Sequence, residues 1–95
     1  MSDAFTVKWV AFNKKVNRIR GHLTMTDGRE YTFWSEKGKA IDFKRHYNSY
    51  KISYIKNESI RKGYKPLSTE EYEELYPNFI EDLEIFLTKY ILTEE

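Results

Sequence analysis

The stretch HLTMTDGREYTFW, His22–Trp34, decides the fold. On either side of Asp27-Gly28 lie His22-Leu23-Thr24-Met25-Thr26 and Glu30-Tyr31-Thr32-Phe33-Trp34. Both segments are strand-like, with the Thr and aromatic side chains that suit a pleated, half-buried surface. Asp-Gly accepts positive φ at little cost, so it predicts a type I′ turn and an antiparallel hairpin. Working outward, Phe5, Val7, Trp9 and Ala11 alternate with Thr6, Lys8, Val10 and Phe12, the period of a strand. The polar Asn13-Lys14-Lys15 reads as a turn into a second alternating run from Val16 to Thr26, where Gly21 marks a candidate bulge. On the other side, Glu36-Lys37-Gly38-Lys39 reads as the next turn and Ala40–Lys44 as a short fourth strand.

Residues 47–62 fit two periods. Tyr50, Ile52 and Tyr54 alternate as a strand would, whereas Tyr47, Tyr50 and Tyr54 recur at helical spacing, broadened by Ile52 and Ile55. The run contains no Gly or Pro and ends at Lys62-Gly63, a basic last turn followed by glycine, which selects the helix. Ser68-Thr69-Glu70-Glu71 is a capping box that opens a short helix to about Leu75. Pro77 stops it and suits the first turn of another helix. There Phe79, Ile80, Leu83, Phe86, Leu87, Tyr90 and Ile91 repeat at three- and four-residue spacing. That amphipathic helix is expected to cover one face of the sheet. The expected class is α+β, a three- to four-stranded antiparallel meander packed by two to three helices, in one domain over residues 1–95.

Ninety-five residues support one core, and 17% aromatic content supplies it. With no Cys there is no disulfide framework, no thiolate metal site and no cysteine nucleophile. The chain has no apolar run near ~18 residues and no signal-like N-terminal segment, so a cytoplasmic protein without membrane contact is expected. Charge is divided along the chain. Residues 1–66 hold 15 of the 16 Lys and Arg and net +9, while residues 67–95 net −8. Such asymmetry points to a polyanion-binding part joined to an acidic segment.

No phosphate-cradling, dinucleotide or serine-hydrolase motif occurs, so a catalytic role and a cofactor are not expected. His22 and His46 stand far apart with no acid at ligand spacing, which argues against a metal; His22 reads as a strand-surface residue. Glu70, Glu71, Glu73 and Glu74 read as a solvated helix face. Binding is better supplied. Lys14, Lys15, Arg18 and Arg20 lie on or beside one hairpin, and Arg18 and Arg20 share a strand face. Lys37 and Lys39 follow Trp34, which is either core or contact; Trp9 and Phe33 read as core. Further cations cluster at Lys44 and Arg45 and from Lys51 to Lys65. Cations interleaved with rings suit a nucleic acid, with charges for counterion release and rings for stacking. The alternative is a protein partner held by the acidic, Tyr-rich helices through Tyr72, Leu75 and Tyr76.

The run Tyr31-Thr32-Phe33-Trp34-Ser35-Glu36-Lys37-Gly38-Lys39, followed by a helical segment ending Ile60-Arg61-Lys62-Gly63-Tyr64, resembles a WGR domain over about residues 5–66. The resemblance implies an antiparallel sheet with one packed helix, and DNA binding in which the family's Trp and Arg contact a strand end. Trp34, Gly38, Gly63 and Tyr64 match the pattern. Ser35 and Glu36 stand where the family has Gly and Arg, and a carboxylate there would repel a DNA backbone.

Overall fold

Eight elements follow one another in the computed structural model, which describes residues 5–36 and 39–94. They are β1 (Phe5–Asn13), β2 (Arg18–Met25), β3 (Glu30–Glu36), β4 (Asp42–His46), α1 (Ser49–Arg61), β5 (Lys65–Leu67), α2 (Thr69–Leu75) and α3 (Phe79–Glu94). The strands form one antiparallel sheet in the order β4-β3-β2-β1-β5. The fold is α+β, one strand larger than the expected meander.

The central hairpin forms where Asp27-Gly28 places it, but its turn is not type I′. Gly28 N–H donates to the Met25 carbonyl at 3.0 Å, and Met25 N–H donates to the Arg29 carbonyl at 2.8 Å. Within this loop only Gly28 has positive φ, at 94°. The loop therefore has three residues and closes on a glycine bulge. Asp27 explains the choice: its carboxylate accepts from Arg29 N–H at 3.1 Å and from Arg29 Nε at 2.8 Å. That side-chain turn holds Asp27 out of the left-handed region.

In β1 the simple alternation breaks. Phe5 and Val7 pair with Met25 and Leu23, but Trp9, not Lys8, pairs with His22. The extra residue is a bulge at Lys8, and an inserted residue reverses the facing of the strand beyond it. Val10 and Phe12 join Val7 on the core side, whereas Trp9 and Ala11 turn to the other face. Gly21 lies opposite Val10. A Cβ there would overlap the Phe33 ring and sit 2.5 Å from the Trp9 carbonyl oxygen. The glycine expected to mark a bulge thus sits across from one.

The core lies between the sheet and α2/α3. Val10, Ile19, Leu23, Tyr31, Phe33 and Phe43 meet Tyr72 from α2 and the Phe79, Leu83, Leu87 stripe of α3. Phe79 stacks among Phe33, Tyr72 and Tyr76, with centroids 5.3 to 5.7 Å apart. The capping box opens α2 as its sequence requires: Glu71 N–H donates to Ser68 Oγ at 3.2 Å and Ser68 N–H to Glu71 Oε1 at 2.9 Å. Pro77 falls in the link before α3 rather than in its first turn, and Asn78 there takes φ 65°.

Helix α1 lies on the opposite face, where Ile52 and Ser59 are buried. Asn48 caps it, accepting from Tyr50 N–H at 3.0 Å. Its end is a Schellman motif around Gly63 (φ 99°), with Gly63 N–H on the Ile60 carbonyl and Tyr64 N–H on the Ser59 carbonyl. The chain then lands beside the open edge of β1 and forms β5, a strand not anticipated from its three residues. Pro66 is tolerated there because β5 is itself an edge. The result is three layers with charge sorted between them. Outside α2 and α3 stand Glu70, Glu71, Glu73, Glu74, Glu81 and Glu84; α1 carries Lys51, Lys56 and Arg61 with one acid, Glu58. Among the described residues no helix is long and apolar enough to cross a membrane.

Candidate nucleic-acid interface

The α1 side of the sheet presents Trp9 and Ala11 from β1, Arg18, Arg20 and His22 from β2, Thr32, Trp34 and Glu36 from β3, and Asp42, Lys44 and His46 from β4. One helix cannot cover five strands. It leaves a groove of about 260 Å³ lined by Trp9, Arg18, Arg20, Trp34, Lys44 and Glu58. Two indoles supply ring faces, and the lining holds three cations and one carboxylate, with Glu36 paired to Arg18 beside it.

Each arginine is held in place. Arg20 Nη1 donates to Ser59 Oγ at 3.3 Å, and its guanidinium lies 4.8 Å over the Tyr64 ring. Arg18 Nη2 donates to Glu36 Oε1 at 3.2 Å. That bond, with help from the Tyr64 hydroxyl, tightens the hold of Arg18 on its proton. Glu36 also receives Lys39 Nζ at 3.0 Å, and Lys39 first, then Arg18, keeps its carboxyl below the usual carboxylate range. Glu58 is lowered in the same way by Lys62, 3.2 Å away, and by a hydrogen bond from Tyr54.

The structure brings Arg18, Arg20 and Trp34 into one groove, with Lys39 joined to it through Glu36. Lys14 and Lys15 project from the β1–β2 loop next to the Arg18 end of β2; Lys15 N–H donates to Asn13 Oδ1 at 3.0 Å. Lys37 and Gly38 lie outside the described residues. Trp9 is not core: the bulge turns it onto the groove wall, half-buried, where it joins Trp34. Lys44 was among the expected cations but not among the expected contacts. Its alternation with Asp42 and His46 along β4 places it on this face.

His22 differs from expectation, being buried rather than on the strand surface, while His46 ends β4. His22 and His46 are both buried, on neighbouring strand pairs. Thr32 Oγ1 lies 2.8 Å from His46 Nε2, and His22 Nε2 is 3.7 Å from a Glu30 carboxylate oxygen. Burial is the main cause that lowers both imidazole pKa values. Among the described residues no group of His, Asp and Glu could hold a metal ion.

On the acidic side, Tyr72 is only 7% exposed and belongs to the core, which removes it from any partner surface. Leu75 and Tyr76 are half-buried, and the Tyr76 hydroxyl donates to Asp82 at 2.9 Å. The rings expected to anchor a protein partner are spent on packing the helices. Compared with protein-family models, with curated proteins and with solved structures, the chain has no match in any of the three.

Proposed function

We propose that the protein is a non-catalytic nucleic-acid-binding domain that meets the phosphate backbone with the α1 side of its sheet. The observation that carries this reading is the groove. Trp9 and Trp34 line it, Arg18, Arg20 and Lys44 flank them, and the sheet separates it from the carboxylates of α2 and α3. Lysines and arginines on such a surface release condensed counterions from a polyanion, while indoles offer faces to bases. The WGR-like character is supported by α1 ending in Lys62-Gly63-Tyr64 with Tyr64 buried beneath Arg20. It is supported too by the position of Trp34 on the groove wall, and it favours DNA. Glu36 stands where that family has arginine and is paired with Arg18, so the guanidinium comes from the neighbouring strand β2.

The test is fluorescence anisotropy with labelled DNA at two salt concentrations. Affinity should fall steeply with salt, and Lys44→Ala should reduce the slope of log K against log salt by about 1. Lys44 is exposed, and no hydrogen bond or ion pair ties it to another of the described residues. DNA that is not retained at low salt in any form would overturn the reading.

A further inference from the structure

We infer that the nucleic acid is taken as a single strand, its unpaired bases stacking on a row of tyrosines along the outer face of α1. This rests on the nucleic-acid reading above and names the substrate class for the same side of the molecule. Tyr47, Tyr50 and Tyr54 are 82, 79 and 57% exposed, in a chain that buries Tyr31, Tyr64 and Tyr72. Tyr50 and Tyr54 stand four apart on the helix, and Asn57 and Arg61 continue the same line. Ile52 and Ser59, on the opposite side of α1, pack on the sheet. Tyr50 and Tyr54 are therefore not an unfinished core face; they point away from Ile52 and Ser59, and Tyr47 stands just before the helix, beside its Asn48 cap.

Charge selects the occupant. Arg45 lies 4.6 Å over the Tyr47 ring, Lys51 and Arg61 flank the row, and Glu58, the one carboxylate on α1, is paired with Lys62. A row of phenols edged by cations suits a polyanion whose bases are accessible. Ring faces recognise base faces, and a duplex keeps those inside its stack. Side chains four apart on a helix are about 5–6 Å apart, against a rise of about 3.4 Å per base in a stacked strand. The tyrosines can thus engage only bases already parted from one another, and a single strand offers these without breaking pairs.

Anisotropy with a labelled oligothymidylate of about 12 nucleotides and a blunt duplex of equal length tests this on the full chain. The single strand should bind at least tenfold more tightly. Combining Tyr50→Ala with Tyr54→Ala should weaken it roughly 5- to 150-fold for each ring that takes a base, leaving duplex affinity and the salt slope unchanged. Tyr50→Phe, which keeps the ring, should bind like the parent chain. Both positions are exposed on a helix, and unchanged circular dichroism of the alanine variant establishes that it folds. Equal affinity for the two DNA forms, or an alanine variant that binds normally, overturns the inference while leaving the groove reading intact. A variant that changes only self-association in sedimentation, not DNA affinity, overturns it as well, with a second copy as the occupant. If neither form binds the parent chain at low salt, the groove reading itself fails.

Discussion

His22 and His46 show how a residue's role is set by its surroundings. In the sequence they are two isolated imidazoles; in the sheet they are buried near each other, with Thr32 and Glu30 between them and Lys8, Lys44 and Lys51 close enough to oppose a further positive charge. Burial favours the neutral ring, so the folded pKa of each lies below the ordinary value of about 6.5. The unfolded chain then binds protons first as the pH falls. Stability is full above that ordinary value and declines below it. The urea midpoint should drop between about pH 7.5 and pH 5.5, and replacing both histidines by Gln should flatten that drop. Asp27, Glu36, Glu58 and Glu71 are held below the carboxylate range, so their contribution is lost only in a second, more acidic window. A midpoint independent of pH across the first window would mean the imidazoles are solvated.

At the scale of the element, the bulge at Lys8 decides which side of β1 is core. A strict period of two places Phe5, Val7, Trp9 and Ala11 together; the extra residue divides them and delivers Trp9 to the groove. Gly21 is the other half of that device, because the Phe33 ring and the Trp9 carbonyl occupy the space of its missing side chain. Gly21→Ala should therefore cost about 1–3 kcal/mol by overpacking, read as a shift of the urea midpoint. Its effect should reach Trp9, seen as altered tryptophan emission. A neutral substitution would show that the strands do not approach this closely. The turn at Asp27-Gly28 belongs to the same scale: the dipeptide marked the hairpin, but the bonds from Arg29 to the Asp27 carboxylate chose a three-residue loop.

For the whole molecule, the question is what the opposed charges do. Two explanations compete: attraction between basic and acidic parts that helps the chain fold, or a surface kept clear for a polyanion. The sheet separates α1 from α2 and α3, and packed layers are about 10 Å apart, so the helical layers stand about 20 Å from each other. The screening length at physiological salt is about 8 Å. Attraction across the sheet is then largely screened, and the carboxylates on the α1 side pair locally, Glu36 with Arg18 and Lys39, and Glu58 with Lys62. Raising salt from roughly 20 to 300 mM should leave the thermal midpoint nearly unchanged while DNA affinity falls by orders of magnitude. A midpoint that drops in parallel with binding would assign the charge division to folding.

The sequence by itself determined the elements whose signals are local. The Asp-Gly hairpin, the Ser68 capping box, the α3 stripe and the Lys62-Gly63 end of α1 each depend on residues within a few positions, and each is present. It also determined the charge division, since composition along the chain needs no coordinates. Only the tertiary structure decided that α1 covers the arginine-bearing face, that Trp9 and Trp34 share a groove, that Tyr72 is core, and that β5 completes the sheet. These depend on strand register and on which face each helix takes, and one inserted residue at Lys8 is enough to exchange the two faces of a strand.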